Sequence, residues 1–413
     1  MLDVLRNASY RKLFSAQVVA LVGTGLLTVA LGLLAFDLAG GNAGIVLGIA
    51  LTIKMLAYVG VAPVMSALTS HVPRKALLVS ADIFRAGVAL SLPFVTEAWQ
   101  IYILIFVLQA ASATFTPAFQ ALIPEVLPEE SQYTRALSLS RLAYDLESLL
   151  SPIFAAALLT VISYHSLFVG TVVGFLGSAV LVFCTKVPAM RPTAAAAFVH
   201  RLTLGAQDFW RTPPLRGLLA MNMVIATSTA MIIVNTVVLV QNTFERSQVD
   251  FALALSSYGF GSMLVALALP RLLERYSDRR MMMLGCSIVP IGLALIAALV
   301  LAKNAILAWP GLLLVWLILG AATALVLTPS ARLLRRHSDE TNRSAVFAAQ
   351  FSLSHACFIV TYPLAGILGV TLGLAPTALV LAGLAVAAGT LARHFWKEDR
   401  EPAVQHPNLT AIN

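Results

Sequence analysis

Long apolar stretches alternate with short polar breaks along the whole chain. An α-helix needs about 20 apolar residues to cross about 30 Å of hydrocarbon, and twelve stretches reach that length. None shows the alternation of a barrel strand, so helices must satisfy the backbone inside the lipid. The pattern predicts transmembrane helices over 13–38, 43–69, 76–96, 99–121, 136–162, 165–185, 213–240, 250–272, 281–302, 309–331, 345–370 and 375–393.

Composition supports this interpretation. Apolar residues make up 59% of the chain and charged residues 11%, with a mean hydropathy of +0.88. A soluble domain carries roughly 25% charged residues, so this chain cannot cover a water-facing surface. The three cysteines Cys184, Cys286 and Cys357 are too few and too scattered for a disulfide framework or a zinc site. We therefore expect an all-α membrane protein, embedded in the lipid bilayer, without metal or cofactor.

The distribution of Lys and Arg predicts that both termini face the cytoplasm. With the N-terminus placed there, 24 of the 27 basic residues fall on the cytoplasmic side, the exceptions being Arg246, Lys303 and Lys54. The net charge of +8 thus reflects membrane topology. No basic stripe with interleaved aromatic residues indicates a nucleic-acid partner.

The chain contains two related halves, because several features recur at a shift of about 205–212 residues. The pairs are Arg74-Lys75 with Arg279-Arg280, Thr116-Pro117 with Thr328-Pro329, and Pro152 with Pro363. Six spans in each half make the halves parallel. We expect a six-helix bundle over 1–190, a cytoplasmic linker with an amphipathic helix over 191–212, a second bundle over 213–393 and a cytoplasmic tail over 394–413.

This organisation resembles the major facilitator superfamily, whose signature G-x-x-x-D-R-x-G-R-R follows the second span. The aligned residues are 66–75, where Ser70 takes the place of the acid and Arg74 and Lys75 keep the basic pair. The corresponding loop of the second half offers Glu274, Arg279 and Arg280, and the family's third helix is matched by Asp82 and Arg85. The resemblance implies that these charges act in gating or hold the helices together.

A narrower resemblance is to siderophore exporters and nickel-resistance permeases. It rests on the Tyr-Arg-Lys-Leu-Phe opening at 10–14, on Arg135-Ala136-Leu137-Ser138 before Tyr144-Asp145, and on Ser354-His355-Ala356-Cys357 before Tyr362-Pro363. It implies a monomeric secondary transporter of the bacterial inner membrane that binds a small molecule or ion. The sequence has no P-loop, no Ser-His-Asp arrangement and no zinc-spaced cluster, so we expect no enzyme activity.

Charged residues inside the spans are candidates for function, because each costs about 2.5–3.5 kcal/mol on insertion scales. Lys54 lies about 16 Å into the second helix at 1.5 Å per residue, near the membrane midplane. It either binds an anionic group in a cavity or forms a buried ion pair that locks helices together.

The fifth helix carries Asp145 and Glu147. Asp145 shares a helix face with Arg141, four residues before it, and either forms a structural pair with it or carries a proton. Glu147 points about 200° away from Asp145, and a carboxyl in a low-dielectric cavity takes up a proton more readily than in water. We therefore expect Glu147 to act as a proton carrier.

Three further polar residues are candidates for substrate contact. His355 lies near the middle of the eleventh helix, which neighbours the second helix in the family, and it is either a binding group facing Lys54 or a core histidine. Gln109 and Asn222 lie on helices that line the family's cavity, and each serves either as a contact or as glue between helices.

The main functional hypothesis is proton-coupled efflux of a small toxic solute, such as a drug, a siderophore or a divalent metal, by alternating access. One alternative is uptake or facilitated diffusion of an anionic metabolite bound at Lys54. Another is a membrane receptor that transports nothing.

Overall fold

The computed structural model describes residues 2–61, 72–186, 207, 209–302, 305–338 and 343–396. Within this part of the chain the elements are helical, which confirms the predicted all-α fold. The long helices are α1 Ala8–Ala39, α2 Ala43–Leu56, α3 Arg74–Ser91, α4 Ala98–Val126, α5 Glu130–Leu159, α6 Tyr164–Phe183, α7 Pro213–Val237, α8 Gln248–Arg275, α9 Asp278–Ala302, α10 Ala305–Arg336, α11 Arg343–Thr371 and α12 Leu374–Phe395. Short π-helical segments, Ala57–Val61 and Val238–Thr243, continue α2 and α7.

Ten segments of the described residues are long and apolar enough to cross a membrane. The first of them, Ala8–Val61, contains both α1 and α2, which a three-residue turn at Gly40–Asn42 separates. Within α5 the described apolar stretch is Leu150–Leu159. Each of the twelve predicted spans overlaps one of these helices, and residues 62–69 of the second span lie outside the described residues.

The helices pack in two equivalent sets of six. In the first set, α1 packs on α5 and α6, and α3 packs on α4 and α6. In the second set, α7 packs on α11 and α12 in the same way, and α9 packs on α10 and α12. The two sets meet mainly along two crossed pairs, α2 with α11 and α5 with α8. The predicted pseudo-symmetric halves are therefore present in the packing.

Local sequence signals fix several helix ends. The Asn7 side chain caps α1 by accepting hydrogen bonds from the amides of Ser9 and Tyr10. Ser247 and Asp250 form a reciprocal capping box that starts α8. The turn after α1 begins at Gly40 with a φ of 52°, a left-handed value that suits glycine.

Since consecutive helices run in opposite directions, the bundle has two chemically different ends. We call the end where α1 begins the basic end, because Arg74, Lys75, Arg279 and Arg280 lie there. The other end, which holds the turn Gly40–Asn42 and the segment Val238–Thr243, is called the far end.

Glycines bring the two halves into backbone contact towards the far end. A Cβ on Gly48 of α2 would lie 2.7 Å from the carbonyl oxygen of Tyr362 on α11, and a Cβ on Gly366 would overlap the backbone of Gly44. The turns touch as well, since a Cβ on Gly41 would lie 3.5 Å from the Asn242 side-chain nitrogen. The halves are therefore closed against each other at this end.

Helix α4 continues to Val126, five residues beyond the end of the fourth predicted span, and includes Pro124 near its end. Proline fixes φ near the helical value, so a last turn can continue at the loss of one hydrogen bond. The linker helix at 198–204 and the tail from 397 onward lie outside the described residues, so the domain boundaries stay predictions.

Candidate functional site

The polar helix α5 lies between α1 and α8, at the contact of the two halves. Its approach to α1 depends on Gly25, where any Cβ would overlap the side chain of Ser151 and lie 2.7 Å from Oε1 of Glu147. The absence of a side chain on Gly25 leaves room for this carboxyl between the helices. Glu147 is partly buried there, and Ser151 is fully buried.

Lys54 and Glu147 are brought to similar depths from the two sides of this region. Lys54 is eleven residues from the start of α2 at the far end, or about 16 Å, and Glu147 is twelve residues from the end of α5 at the same end, or about 18 Å. The two opposite charges attract each other. Among the described side chains they form no ion pair within 4.0 Å.

Aromatic rings surround this charged pair on the side of α11. The Tyr58 ring lies 5.6 Å from the His355 ring and 6.2 Å from the Phe351 ring, between ring centres, and the Phe351 and His355 rings are 4.2 Å apart. Phe351 is 44% exposed, and the Lys54 charge reaches His355. These contacts place His355 beside the charged pair.

One ring nitrogen of His355 forms a hydrogen bond with the backbone. Nδ1 lies 2.7 Å from the carbonyl oxygen of Phe351, and a carbonyl can only accept, so Nδ1 carries the hydrogen. In the neutral ring Nε2 is then the acceptor, and the ring can offer it to a proton or a ligand.

A second polar group, on the α1 side of α5, extends the site towards the basic end. The Ser140 hydroxyl donates to Oε1 of Gln17 over 2.9 Å, and the Tyr144 side chain hydrogen-bonds with Gln17. The charges of Glu147 and Arg85 both act on Tyr144. This chain of polar groups leads from Glu147 along α5 towards the basic end.

Asp82 and Arg85 form a buried hydrogen-bonded ion pair in the middle of α3. The Arg85 guanidinium stacks between the rings of Phe115 and Phe175, at 4.3 and 4.5 Å from their centres. Two aromatic faces stabilise the desolvated cation, which explains how it lies at this depth. The pair joins α3 to α4 and α6.

The structure leaves the predicted amides in different settings. Gln109 is buried in α4. Asn222 is buried in α7, and neither its side-chain oxygen nor its nitrogen has a hydrogen-bond partner. Asn235, on the same helix, donates to the Ala365 carbonyl oxygen on α11 over 3.1 Å.

The predicted gating charges are spread over the basic end and are not gathered in one cluster. The Lys75 ammonium lies over the Phe183 ring, Arg279 donates to the Trp396 carbonyl oxygen, and Arg74 begins α3. Glu274 and Arg280 are exposed. Ser70 lies outside the described residues, as do the side chains of Arg141 and Asp145.

Sequence reasoning missed two groups of residues. Asp278 pairs with Arg332 at 3.7 Å and Arg336 at 3.4 Å, which ties α9 to α10 at the basic end. Tyr258 on α8 donates to the Thr323 hydroxyl oxygen on α10 over 3.2 Å and forms a hydroxyl cluster in the second half. The acid at 278 was visible beside the basic pair, but uncharged tyrosines in apolar spans give no signal of their contacts.

Comparison with known proteins agrees with this architecture. The profile of the Major Facilitator Superfamily matches residues 13–234 and again residues 218–411, once for each half. The uncharacterized MFS-type transporter YfiS of Bacillus subtilis is 31% identical over 121 residues, 29% of each chain. Macrolide efflux protein A of Streptococcus pyogenes is 25% identical over 181 residues, 43% of this chain and 44% of that protein. The matches span less than half the length of these relatives.

Solved structures share the fold over almost the whole chain. A point mutant of the nucleoside transporter NupG superposes with a TM-score of 0.75 at 13% identity, covering 94% of this chain and 100% of that one. A D-xylose-proton symporter gives a TM-score of 0.71 at 14% identity, covering 94% and 98%. With both halves matched by the family profile and the twelve-helix fold in place, the chain belongs to the major facilitator superfamily of membrane transporters.

Proposed function

We propose that the protein is a proton-coupled efflux transporter of the bacterial inner membrane, whose cargo is an amphipathic organic compound of the macrolide kind. The observation that carries this proposal is the partly buried Glu147 carboxyl, held at mid-depth against Gly25 of α1 and attracted by the Lys54 charge. The partial match to macrolide efflux proteins supports the direction and the cargo class.

The geometry supports exchange of a proton for cargo at Glu147. A protonated carboxyl carries no charge, so it cannot attract a basic group on the cargo, whereas the ionised form can. Lys54 moderates this attraction, because it already balances part of the carboxylate charge. Proton and cargo therefore compete, which is the requirement for antiport.

The aromatic rings favour an organic cargo. Tyr58, Phe351 and His355 offer ring faces next to the charged pair, and such faces bind apolar bodies and cationic groups. Phe351 is 44% exposed, and the cargo enters from the basic end, which the distribution of Lys and Arg assigns to the cytoplasm. Release follows when the halves rock and the far end opens.

Purified protein in liposomes with an imposed pH gradient tests this function. We expect gradient-driven movement of the macrolide erythromycin by the wild type and a loss of about 100-fold in Glu147→Gln, as for a general acid–base group. Glu245→Gln changes an exposed acid of the far-end loop and should transport normally. Flux that ignores the gradient, or full coupling in Glu147→Gln, would contradict the proposal.

The Lys54→Gln variant distinguishes proton-coupled efflux from the uptake of an anionic metabolite. If Lys54 tunes Glu147, Lys54→Gln should alter the coupling to protons while erythromycin still binds. Abolished transport of an anionic metabolite in Lys54→Gln, with no effect on proton movement, would favour uptake of anions.

A further inference from the structure

Ser151 differs from hydroxyl residues such as Ser112, Ser256 and Thr24. Each of these donates to the carbonyl oxygen four residues earlier, which is the usual arrangement in an apolar helix. The Ser151 hydroxyl is fully buried and has no hydrogen-bond partner. A buried donor without an acceptor costs free energy, so this one calls for a physical reason.

The hydroxyl lies beside the carboxyl of Glu147. The two residues are four apart on α5 and therefore share a helix face. Both side chains contact α1 at Gly25, since a Cβ on Gly25 would overlap Ser151 Oγ and lie 2.7 Å from Glu147 Oε1. The two oxygens are thus neighbours without a hydrogen bond between them, and a side-chain rotation is enough to form one.

Pro152 loosens the turn of α5 that carries Glu147 and Ser151. It lies inside α5 and has no N–H, so the carbonyl four residues earlier, that of Ser148, loses its helical donor. The turn that carries Glu147 and Ser151 is consequently less constrained by backbone hydrogen bonds than the rest of α5.

We propose that Ser151 is a positioning residue for the proton site: its hydroxyl donates a hydrogen bond to the Glu147 carboxylate when that group is ionised, and this bond weakens when the carboxyl takes up a proton. This proposal rests on the proposed function, in which Glu147 exchanges its proton. Gly25 is required for this arrangement, because any side chain there would displace Ser151 and the Glu147 carboxyl.

The other titratable groups around Glu147 come from several elements. Lys54 and Tyr58 lie on α2, Tyr144 lies on α5, and the Arg85 charge reaches both tyrosines. Helices α1 and α8 also pack on α5, and their charged residues lie near their ends, with Tyr258 the titratable group inside α8. Asp145 and Arg141 share α5 with Glu147.

Labelling with dicyclohexylcarbodiimide, which reacts with protonated carboxyls in apolar sites, tests Ser151 without any cargo. Intact-mass measurement on the full-length protein would follow the fraction of Glu147 modified against pH, and Glu147→Gln defines the background. In Ser151→Ala we expect labelling to extend to higher pH by about one unit or more, because the carboxylate has lost a charge-assisted donor. The variant removes one crowded atom, so it is expected to fold.

Thr361→Val is the control, since Thr361 on α11 is another fully buried hydroxyl residue without a hydrogen-bond partner among the described residues. Its labelling curve should coincide with that of the wild type. An unchanged curve in Ser151→Ala, an equal shift in Thr361→Val, or no labelling of Glu147 at any pH would overturn the assignment. Failure of proton-driven erythromycin transport alongside a shifted curve would reject the transport function and leave Ser151 as the partner of Glu147.

Discussion

At the scale of single residues, the buried Asp82–Arg85 pair gives a clear expectation. Removing one partner leaves an uncompensated buried charge, which typically costs about 3–5 kcal/mol. Asp82→Ala should therefore lower the thermal midpoint in detergent strongly. The double variant Asp82→Ala with Arg85→Met should be less destabilised than Asp82→Ala alone, because no cation remains between Phe115 and Phe175.

The exposed pair Arg135–Asp3 provides the comparison. Its atoms are 3.7 Å apart and its side chains are 48% and 67% exposed, so Arg135→Ala should change stability by less than about 1 kcal/mol. Equal shifts in the midpoint for Asp82→Ala and Arg135→Ala would show that the buried pair is not the element that holds α3 to α4 and α6.

Sequence alone could locate the charges of the site but not their surroundings. The depths of Lys54 and Glu147 follow from helix spacing, which is a local property of the chain. The stacking of Arg85 between Phe115 and Phe175, or of Tyr58 against His355, joins residues far apart in sequence. Such contacts depend on which helix faces meet. A span that is apolar on every face does not show which of its faces contacts another helix.

At the scale of whole helices, the glycines of α2 set how closely it can approach α11. Gly48→Ala places a methyl group 2.7 Å from the Tyr362 carbonyl oxygen and 3.3 Å from Gly366 Cα, so the two helices must separate there. We expect the variant to favour the form that is open at the far end. Spin labels on Gly41→Cys and Asn242→Cys, in a background without native cysteines, would report a longer distance.

Gly383→Ala on α12 tests whether the effect is specific to the helix contact. A Cβ at Gly383 meets nothing within 4 Å, so the label distance should match that of the unsubstituted protein. An unchanged distance in Gly48→Ala would mean that α2 and α11 yield locally and that their contact does not control the far end.

The number and position of the helices could be predicted because each helix that crosses the bilayer needs a run of about 20 apolar residues. Helix α5 carries Arg135, Arg141, Asp145 and Glu147 and is packed between α1 and α8. The apolar run predicts where this helix crosses the bilayer, and the charges inside it mark it as a carrier of the candidate site.

At the scale of the whole molecule, alternating access requires the two halves to move as units about the site. The turn after α1 and the segment after α7 belong to different halves and touch through Gly41 and Asn242. A short thiol-cleavable cross-linker between Gly41→Cys and Asn242→Cys should therefore stop erythromycin transport while leaving erythromycin binding from the basic end intact. Reduction of the linker should restore transport.

The same reagent placed within one half separates rocking from other motions. Gly373 and Val161 lie on far-end turns of different halves, whereas Val161 and Asp37 both belong to the first half. A linker between Asp37→Cys and Val161→Cys should be tolerated, because a half that moves as a unit does not change its internal distances. If that linker stopped transport as completely as the linker between the halves, the motion would lie inside a bundle, and a rigid-body mechanism would have to be abandoned for this protein.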